Sequence, residues 1–299
     1  MSANWYEVTI AVTIEVKELI TNHLFEVGAG GVNENVANPN LLQAYFPEEQ
    51  KDQAIKDIHS YWMTLQENFT SLPSIQITLI QVAEENWAET YKQYYLAQKL
   101  TDLFFLRPKW DTTTPIPLGM IPIFMEPGQA FGTGLHPSTK LCLKALQSEI
   151  LHSTRKDKLR CLDVGTGTGI LALAAYHLGV KQIIGIDNDS VAVEVAKENM
   201  ELNKASEIEM SEMDIRTLKP SFDFVISNIL LETHRELATE YARLIPLGGS
   251  LLLSGLLGYQ KRELCEFINP TGFVLLESRN FQEWASFLFL RRRVSMKRE

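Results

Sequence analysis

Three glycines at alternate positions, Gly165, Gly167 and Gly169, stand between an apolar segment and a helical one. The residues before them, Arg160–Val164, predict a strand, and residues 171–178 predict a helix. Glycine accepts the positive φ values of a tight turn, and the free N–H groups at the start of a helix attract anionic groups. The segment therefore predicts a strand, a tight turn and a helix, with a ligand at the end of the strand.

Strands and helices alternate through the chain from about residue 140 onward. Apolar segments of strand length recur, with helical patterns between most of them, at 160–164, 182–186, 208–210, 222–227, 250–254, 273–276 and 285–290. This alternation predicts an α/β fold with a doubly wound, Rossmann-like parallel sheet. A ligand of such a sheet binds beyond the carboxyl ends of the central strands, where the glycines lie.

The first 85 residues follow a different order. Strand patterns lie at 5–13, 32–36, 41–46 and 75–82, and amphipathic helical patterns at 16–27 and 48–68. This β-α-β-β-α-β order predicts a ferredoxin-like α+β domain over residues 1–85. We expect a linker helix over 86–100 and a larger domain over 101–299, whose Pro-rich start favours short edge strands and turns.

Charge is distributed unevenly between these domains. Residues 1–85 contain 12 Asp and Glu against 3 Lys, so the whole formal charge of −9 lies there. A negative field repels nucleic acid and attracts basic partners, mainly by speeding encounter. A plain solvated acidic surface is the alternative interpretation.

Several classes of protein are excluded by composition. No apolar segment reaches the roughly 18 residues of a membrane span, and the N-terminus lacks the early basic residues of a secretory signal. The three cysteines, Cys142, Cys161 and Cys265, have no paired spacing. We therefore expect a cytoplasmic protein without disulfides.

The spacing of the glycines does not decide between a dinucleotide and another ligand that contains a ribose. A dinucleotide fingerprint that starts at Gly165 requires glycine where Ile170 stands, and one that starts at Gly167 ends at the tolerated Ala172. Asp187 ends the next predicted strand, 18 residues after Gly169. Its carboxylate can accept both hydroxyl protons of a ribose; capping of the following helix is the alternative.

Two segments resemble the signatures of class I S-adenosylmethionine-dependent methyltransferases. The glycine segment with Asp163 before it and Asp187 after it resembles the first two signatures. The segment that contains Asn228 at the end of a predicted strand is similar to the fourth, in which an Asn or Asp lines the transfer site. A turn-forming role is the alternative for Asn228.

Residues 126–139 resemble the PGxAFGTGxHPTT segment of the PrmA family, which methylates protein eleven of the large ribosomal subunit. The resemblance covers nearly the whole chain, because family motifs recur in order at 86–87, 228–230, 235–238, 254–255 and 283–284. It implies an N-terminal domain that recognises the ribosomal protein and a C-terminal domain that binds S-adenosylmethionine. The departures are Ser138, in place of a Thr, Thr166 and Thr168, in place of a more common Cys and Ser, and the bulkier, more acidic residues 231–233.

The resemblance also implies the reaction: methylation of lysine side chains and of the N-terminal amine, with S-adenosylhomocysteine as the product. The residues that it implies as cofactor contacts are Thr139, Gly165, Asp187 and Asn228, with Phe131 in a wall over the methionine end. From its place after the third strand, Asp214 is a candidate for the adenine amino group, with an exposed turn as the alternative. Gly167 belongs to the turn that serves the carboxylate.

The predicted chemistry needs a neutral amine. No residue is a convincing general base, since His136 precedes a proline in the family segment; we expect proximity, desolvation and orientation by Asn228 to carry catalysis. No Cys/His cluster has metal-ligand spacing, so no metal is expected. The alternatives are transfer to another protein, an RNA base or a small molecule, a nicotinamide-dependent oxidoreductase, and a non-catalytic binding protein.

Overall fold

The fold is described from a computed structural model that covers residues 5–13, 15–34, 38, 40–69, 72–82, 95–126, 132–219 and 221–292. Contacts between residues group the chain into two compact units, residues 1–95 and residues 96–299. The predicted domain ends at 85 and 100 stay predictions, because residues 83–94 lie outside the described part.

The first unit contains four strands and two helices in the predicted order. They are β1 (Trp5–Ala11), α1 (Lys17–Glu26), β2 (Gly31–Glu34), β3 (Leu41–Pro47), α2 (Lys51–Asn68) and β4 (Ile77–Val82). The strands form one sheet in the order β2-β3-β1-β4, and all neighbours are antiparallel. This is the ferredoxin-like arrangement, so the predicted fold of this unit is confirmed.

Alternation along the strands places the core of the first unit on one face of its sheet. Val8 and Ile10 of β1 are fully buried, whereas Glu7, between β1's apolar residues, accepts hydrogen bonds from Gln43 and Tyr45. The two helices close the apolar face, with Trp62 of α2 buried at its centre. Both helices therefore form because their apolar faces are buried against the sheet.

The second unit contains the remaining elements. The strands are β5 (Gln98–Lys99), β6 (Phe104–Pro108), β7 (Ile121–Met125), β8 (Arg160–Val164), β9 (Gln182–Asp187), β10 (Glu209–Glu212), β11 (Phe224–Asn228), β12 (Ser250–Leu257), β13 (Phe273–Phe281) and β14 (Trp284–Arg291). The α-helices are α3 (Pro137–His152), α4 (Ile170–His177), α5 (Ser190–Leu202), α6 (Leu231–Leu244) and α7 (Lys261–Ile268).

The large sheet of this unit has the strand order β10-β9-β8-β11-β12-β14-β13. Its first five strands are parallel, and β14 is antiparallel to both of its neighbours. The chain moves outward in one direction from β8 to β10 and in the other from β11 to β12. The order of the strands therefore reverses between β8 and β11, which is where doubly wound sheets bind their ligands.

β5, β6 and β7 form a small sheet, in which β6 and β7 are short strands of the predicted Pro-rich passage. The predicted linker helix over 86–100 lies mostly outside the described residues, and its last part is wrong. Gln98 and Lys99 pair with Leu106 and Phe105 in antiparallel strands. Their backbone groups are satisfied by β6, so the chain is extended here.

In the described part of the chain, no helix combines the length and the apolar character needed to cross a membrane. No cluster of three His, Cys, Asp or Glu side chains within the described ranges has the arrangement of a metal site.

Candidate active site

The glycine turn follows β8 and is held against the end of β9. The backbone N–H groups of Gly165 and Thr166 donate to the carbonyl oxygen of Ile186 at 2.9 and 3.0 Å. Gly165 has φ +70°, and a Cβ there would lie 2.5 Å from the side chain of Ile229. The turn therefore needs glycine for its backbone angle and for its close approach to the segment after β11.

Asp187 ends β9 and faces the same turn. Its Oδ2 accepts from the N–H of Gly167 at 2.9 Å, and its Oδ1 accepts from the N–H of Asp189 at 3.1 Å. Asp189 caps α5 by accepting from Val191 N at 2.9 Å. Because Asp189 is the cap, and because a carboxylate has about four acceptor positions, Asp187 keeps acceptor capacity for a ligand.

Asn228 ends β11, the strand next to β8. The register pairs Ser227 with Val164, so Asn228 and Gly165 follow directly after a matched pair. Asn228 Nδ2 donates to Thr139 Oγ1 at 3.3 Å. Asn228 Oδ1 is buried, and it has no hydrogen-bond partner among the described residues. A buried acceptor without a partner is costly, so this oxygen is suited to a donor from a ligand.

Asp163, just before the turn, is a buried carboxyl group, and its place in the sequence indicates only that it belongs to a motif. Its Oδ2 accepts from Thr166 Oγ1 at 2.8 Å and from Ala172 N at 3.2 Å. Its Oδ1 has no partner within the described part of the chain. Burial raises the pKa of Asp163 to about 7, and the negative charge of Asp187 adds to the increase.

Asn199 of α5 joins the glycine turn to the chain after β7, and sequence reasoning missed it. Its amide donates to the carbonyl oxygens of Glu126 and Thr168 at 3.1 and 3.0 Å, and its oxygen accepts from Glu126 N at 2.8 Å. Thr168 Oγ1 in turn donates to Gly132 O at 2.6 Å. Glu126 and Gly132 are the described residues on either side of 127–131. Gly132 is hydrogen-bonded to Thr168 directly, and Glu126 is linked to Thr168 through Asn199.

The structure brings Gly165, Gly167, Asp187, Asn228 and Thr139 together at the carboxyl end of the sheet. The other predicted site residues are placed differently. Phe131 lies outside the described residues. Asp214 is exposed, where it accepts from Arg216 N at 2.9 Å and pairs with the guanidinium of the same residue. Asp214 therefore lies in an exposed turn, which is the alternative role that the sequence predicts for it, and its contact with adenine stays a prediction.

His136 begins α3. Its Nδ1 lies 2.6 Å from Ser138 Oγ and accepts from Ser138 N at 3.3 Å, which makes it the cap of the helix. Its ring also contacts Trp284 edge-on, with centroids 4.4 Å apart. Burial lowers the pKa of His136, because the charged ring would lose hydration. Because Nδ1 accepts at the start of the helix, this nitrogen is not available to act as a general base.

Comparison with known proteins gives one consistent relation. The model of the ribosomal protein L11 methyltransferase family (PrmA) matches residues 4–292. The ribosomal protein L11 methyltransferase of Bacillus subtilis (strain 168) is 33% identical, with 95% of this chain and 98% of the relative covered. That of Geobacillus kaustophilus (strain HTA426) is 32% identical, with 96% and 99% covered.

A solved structure agrees with these sequence relations. The crystal structure of a ribosomal protein L11 methylase from Lactobacillus delbrueckii subsp. bulgaricus superposes with a TM-score of 0.61 at 25% identity, and it covers 67% of this chain and 100% of its own. The match of the family model, over residues 4–292, includes both the glycine turn and Asn228. The chain therefore belongs to the ribosomal protein L11 methyltransferase family (PrmA).

Proposed function

We propose that this protein is an S-adenosylmethionine-dependent N-methyltransferase that modifies lysine side chains and the N-terminal amine of ribosomal protein L11. Membership of the family supports the reaction and the substrate. The observation that carries the proposal at the level of atoms is the unpartnered Oδ1 of Asn228, buried next to the glycine turn. Because its substrate is a ribosomal protein, the enzyme acts in the cytoplasm.

The residues at the end of the sheet fit the chemistry of the cofactor. The sulfonium of S-adenosylmethionine supplies an electrophilic methyl group. Asp187 would accept from the ribose hydroxyls with the acceptor positions that Gly167 and Asp189 leave. The N–H groups of Gly165, Thr166, Gly167 and Gly169 already donate within the protein, so they are not assigned to the cofactor's carboxylate.

Thr139 fixes the amide of Asn228, and Asp214 would accept from the adenine amino group. Phe131, which lies outside the described residues, stays a candidate for the methionine end.

Asn228 orients the amine that receives the methyl group. Its Nδ2 is committed to Thr139, so the amide cannot rotate without losing that bond. Its Oδ1 is consequently the group that would accept a hydrogen bond from an N–H of the incoming amine. Orientation of this kind places a lone pair toward the reacting carbon and supplies rate through proximity.

The enzyme must also favour the neutral amine. With an ordinary lysine pKa of about 10.4, roughly 1 amine in 2,500 is neutral at pH 7, which adds about 4.6 kcal/mol to the barrier. Burial next to a sulfonium disfavours the ammonium form and offsets much of this cost. His136 accepts at the start of α3 with one ring nitrogen, so the proposed mechanism assigns it no proton transfer.

Mass spectrometry tests this proposal. Purified L11, ribosomal RNA and the enzyme are incubated with isotopically labelled S-adenosylmethionine, and the label is located. We expect label on lysine and N-terminal amines of L11, and a loss of about 100-fold in kcat for Asn228→Ala. Asn269→Ala, an exposed position in the same unit, is the matched control.

Two outcomes would contradict the proposal. Label in RNA but not in L11 would assign another acceptor to the same fold. Thermal stabilisation of the protein by NAD but not by S-adenosylhomocysteine would assign the glycine turn to a dinucleotide.

A further inference from the structure

A chain of polar side chains lies in the apolar core beneath the active site. Tyr241 and His234 of α6 are fully buried, as are Ser227 of β11 and Ser254 of β12. Tyr241 Oη lies 3.1 Å from His234 Nδ1 and 3.3 Å from Ser227 Oγ. His234 Nε2 lies 2.9 Å from Ser254 O, and Ser227 Oγ donates to Val164 O at 3.0 Å.

The partners of His234 determine where its proton lies. The carbonyl oxygen of Ser254 can only accept, so Nε2 carries the proton and donates to it. Burial lowers the pKa of His234 to about 4, so the ring is neutral at physiological pH. Nδ1 is then an acceptor, and the single proton of Tyr241 is donated to it at 3.1 Å. The 3.3 Å contact between Tyr241 Oη and Ser227 Oγ then depends on the Ser227 proton, for which Val164 O is the other acceptor. Loss of the tyrosine hydroxyl would remove the donor to Nδ1, whereas the ring's hydrogen bonds with the backbone of Ser254 and Ile229 would remain.

The chain ends at the residues that precede the proposed site residues. Val164 is followed by Gly165 of the glycine turn, and Ser227 is followed by Asn228.

A third connection leads from β12 to the start of α3. Ser254 Oγ lies 3.3 Å from Ser138 O and 3.0 Å from Ala285 O. Ser138 is followed by Thr139, the partner of Asn228. The buried chain therefore touches the backbone next to three site residues that come from three separate elements.

We propose that Tyr241 and His234 are positioning residues for methyl transfer: their buried hydrogen bonds hold the ends of β8, β11 and β12 and the start of α3 in register, and thereby fix the amide of Asn228. This inference rests on the proposed role of Asn228. It predicts an effect on kcat rather than on binding, because both side chains are fully buried in the core and act through their neighbours. A purely apolar packing of the same elements would allow them to shift without loss of a bond.

The test compares two substitutions on the same helix of the full-length enzyme. Tyr241→Phe removes one oxygen and keeps the ring, whereas Leu237→Val removes one methylene from a buried apolar residue. We expect both variants to melt about 2–4 °C below the wild type. Tyr241→Phe lowers kcat about tenfold, with the KM for L11 and the Kd for S-adenosylhomocysteine within twofold of wild type. Leu237→Val keeps its kcat within twofold.

Substitutions of His234 supply the second arm, in case Tyr241→Phe does not fold. His234→Gln keeps a donor for Ser254 O and retains more activity than His234→Leu. A kcat for Tyr241→Phe that equals the wild type, an equal loss in Leu237→Val, or equal activity of the two His234 variants would overturn the inference.

Asn228→Ala, measured in the same series, separates this inference from the proposed function. If that variant retains full activity, the role of Asn228 fails. A selective loss of kcat in Tyr241→Phe would then act through a group other than Asn228, and the positioning inference as stated fails as well. If Asn228→Ala loses activity and Tyr241→Phe does not, only the positioning inference fails.

Discussion

His136 has a structural role rather than a catalytic one, because its Nδ1 caps α3. We expect His136→Asn, which keeps a capping acceptor, to retain kcat within about twofold and most of its stability. His136→Ala should lose about 1 kcal/mol of unfolding free energy with a similarly small effect on kcat. Chemical denaturation and steady-state kinetics measure both quantities. A kcat that collapses in both variants while cofactor affinity stays intact would make His136 the general base.

Asp163 predicts a pH dependence of stability. Its pKa is raised to about 7 in the folded protein by burial, against about 3.9 in an unfolded chain. The folded state therefore holds the proton more tightly, so the contribution to stability is complete below about pH 4. It is lost as the pH rises to about 7, by an amount on the order of 4 kcal/mol.

Asp163→Asn tests this pH dependence, because the amide oxygen can still accept from Thr166 and Ala172 while no charge forms. We expect its stability to fall less between about pH 4 and pH 7 than that of the wild type, both without cofactor. Scanning calorimetry over a pH series gives the two curves. Parallel curves would show that Asp163 does not titrate in this range.

The sequence identifies residues whose role follows from their position in a motif, and it identifies contacts poorly. Gly165 and Asp187 could be predicted, since a turn after a strand and an acid after the next strand leave few roles. The open acceptor of Asn228 could not be predicted, because it depends on Thr139, which lies 89 residues earlier. Asp214 is different, since its contact with Arg216 is local and the exposed turn is one of the two roles that the sequence predicts for it.

Two asparagines of α5 allow a matched test at the scale of elements. Asn199 binds the backbone of Glu126 and Thr168, whereas Asn203 binds the backbone of Phe124 and of its own helix and contacts the His177 side chain. We expect Asn199→Ala and Asn203→Ala each to cost about 2 kcal/mol of stability, because buried backbone groups lose partners. Asn199→Ala should also weaken S-adenosylhomocysteine binding about tenfold, because it releases Thr168 of the glycine turn.

Thermal melts and calorimetric titration measure these two effects separately. An equal Kd in both variants would show that the tie between α5 and the turn has no part in cofactor binding.

Elements with a clear hydrophobic period could be predicted with ends correct to within a few residues. The α/β alternation gave the strands of the large sheet, because each strand buries both faces and each helix buries one. β5 could not be predicted: Gln98–Lys99 is a two-residue strand that exists only because β6 pairs with it. The buried hydrogen-bonded side chains from Ser227 to Ser254 could not be predicted either, since they belong to three elements that the fold brings together.

At the scale of the whole molecule, the two units differ in charge, and the proposed division of labour follows from this difference. Residues 1–85 carry the entire formal charge of −9, and the rest of the chain is balanced. We propose that this acidic domain captures L11 as a basic partner, while the second unit binds the cofactor. Attraction between opposite charges speeds encounter and is screened by salt.

Salt should therefore affect the two ligands unequally. Between about 50 and 300 mM salt we expect the KM for L11 to rise about fivefold and the Kd for S-adenosylhomocysteine to change by less than twofold. A triple variant with exposed Glu15, Glu18 and Glu49 changed to Gln should lose part of the salt dependence of KM. Neutralising Glu201, Glu209 and Glu236 of the second unit is the matched control, since it changes the net charge equally. If the two triple variants respond alike, net charge alone accounts for the attraction, and the acidic domain has no special role in capturing the substrate.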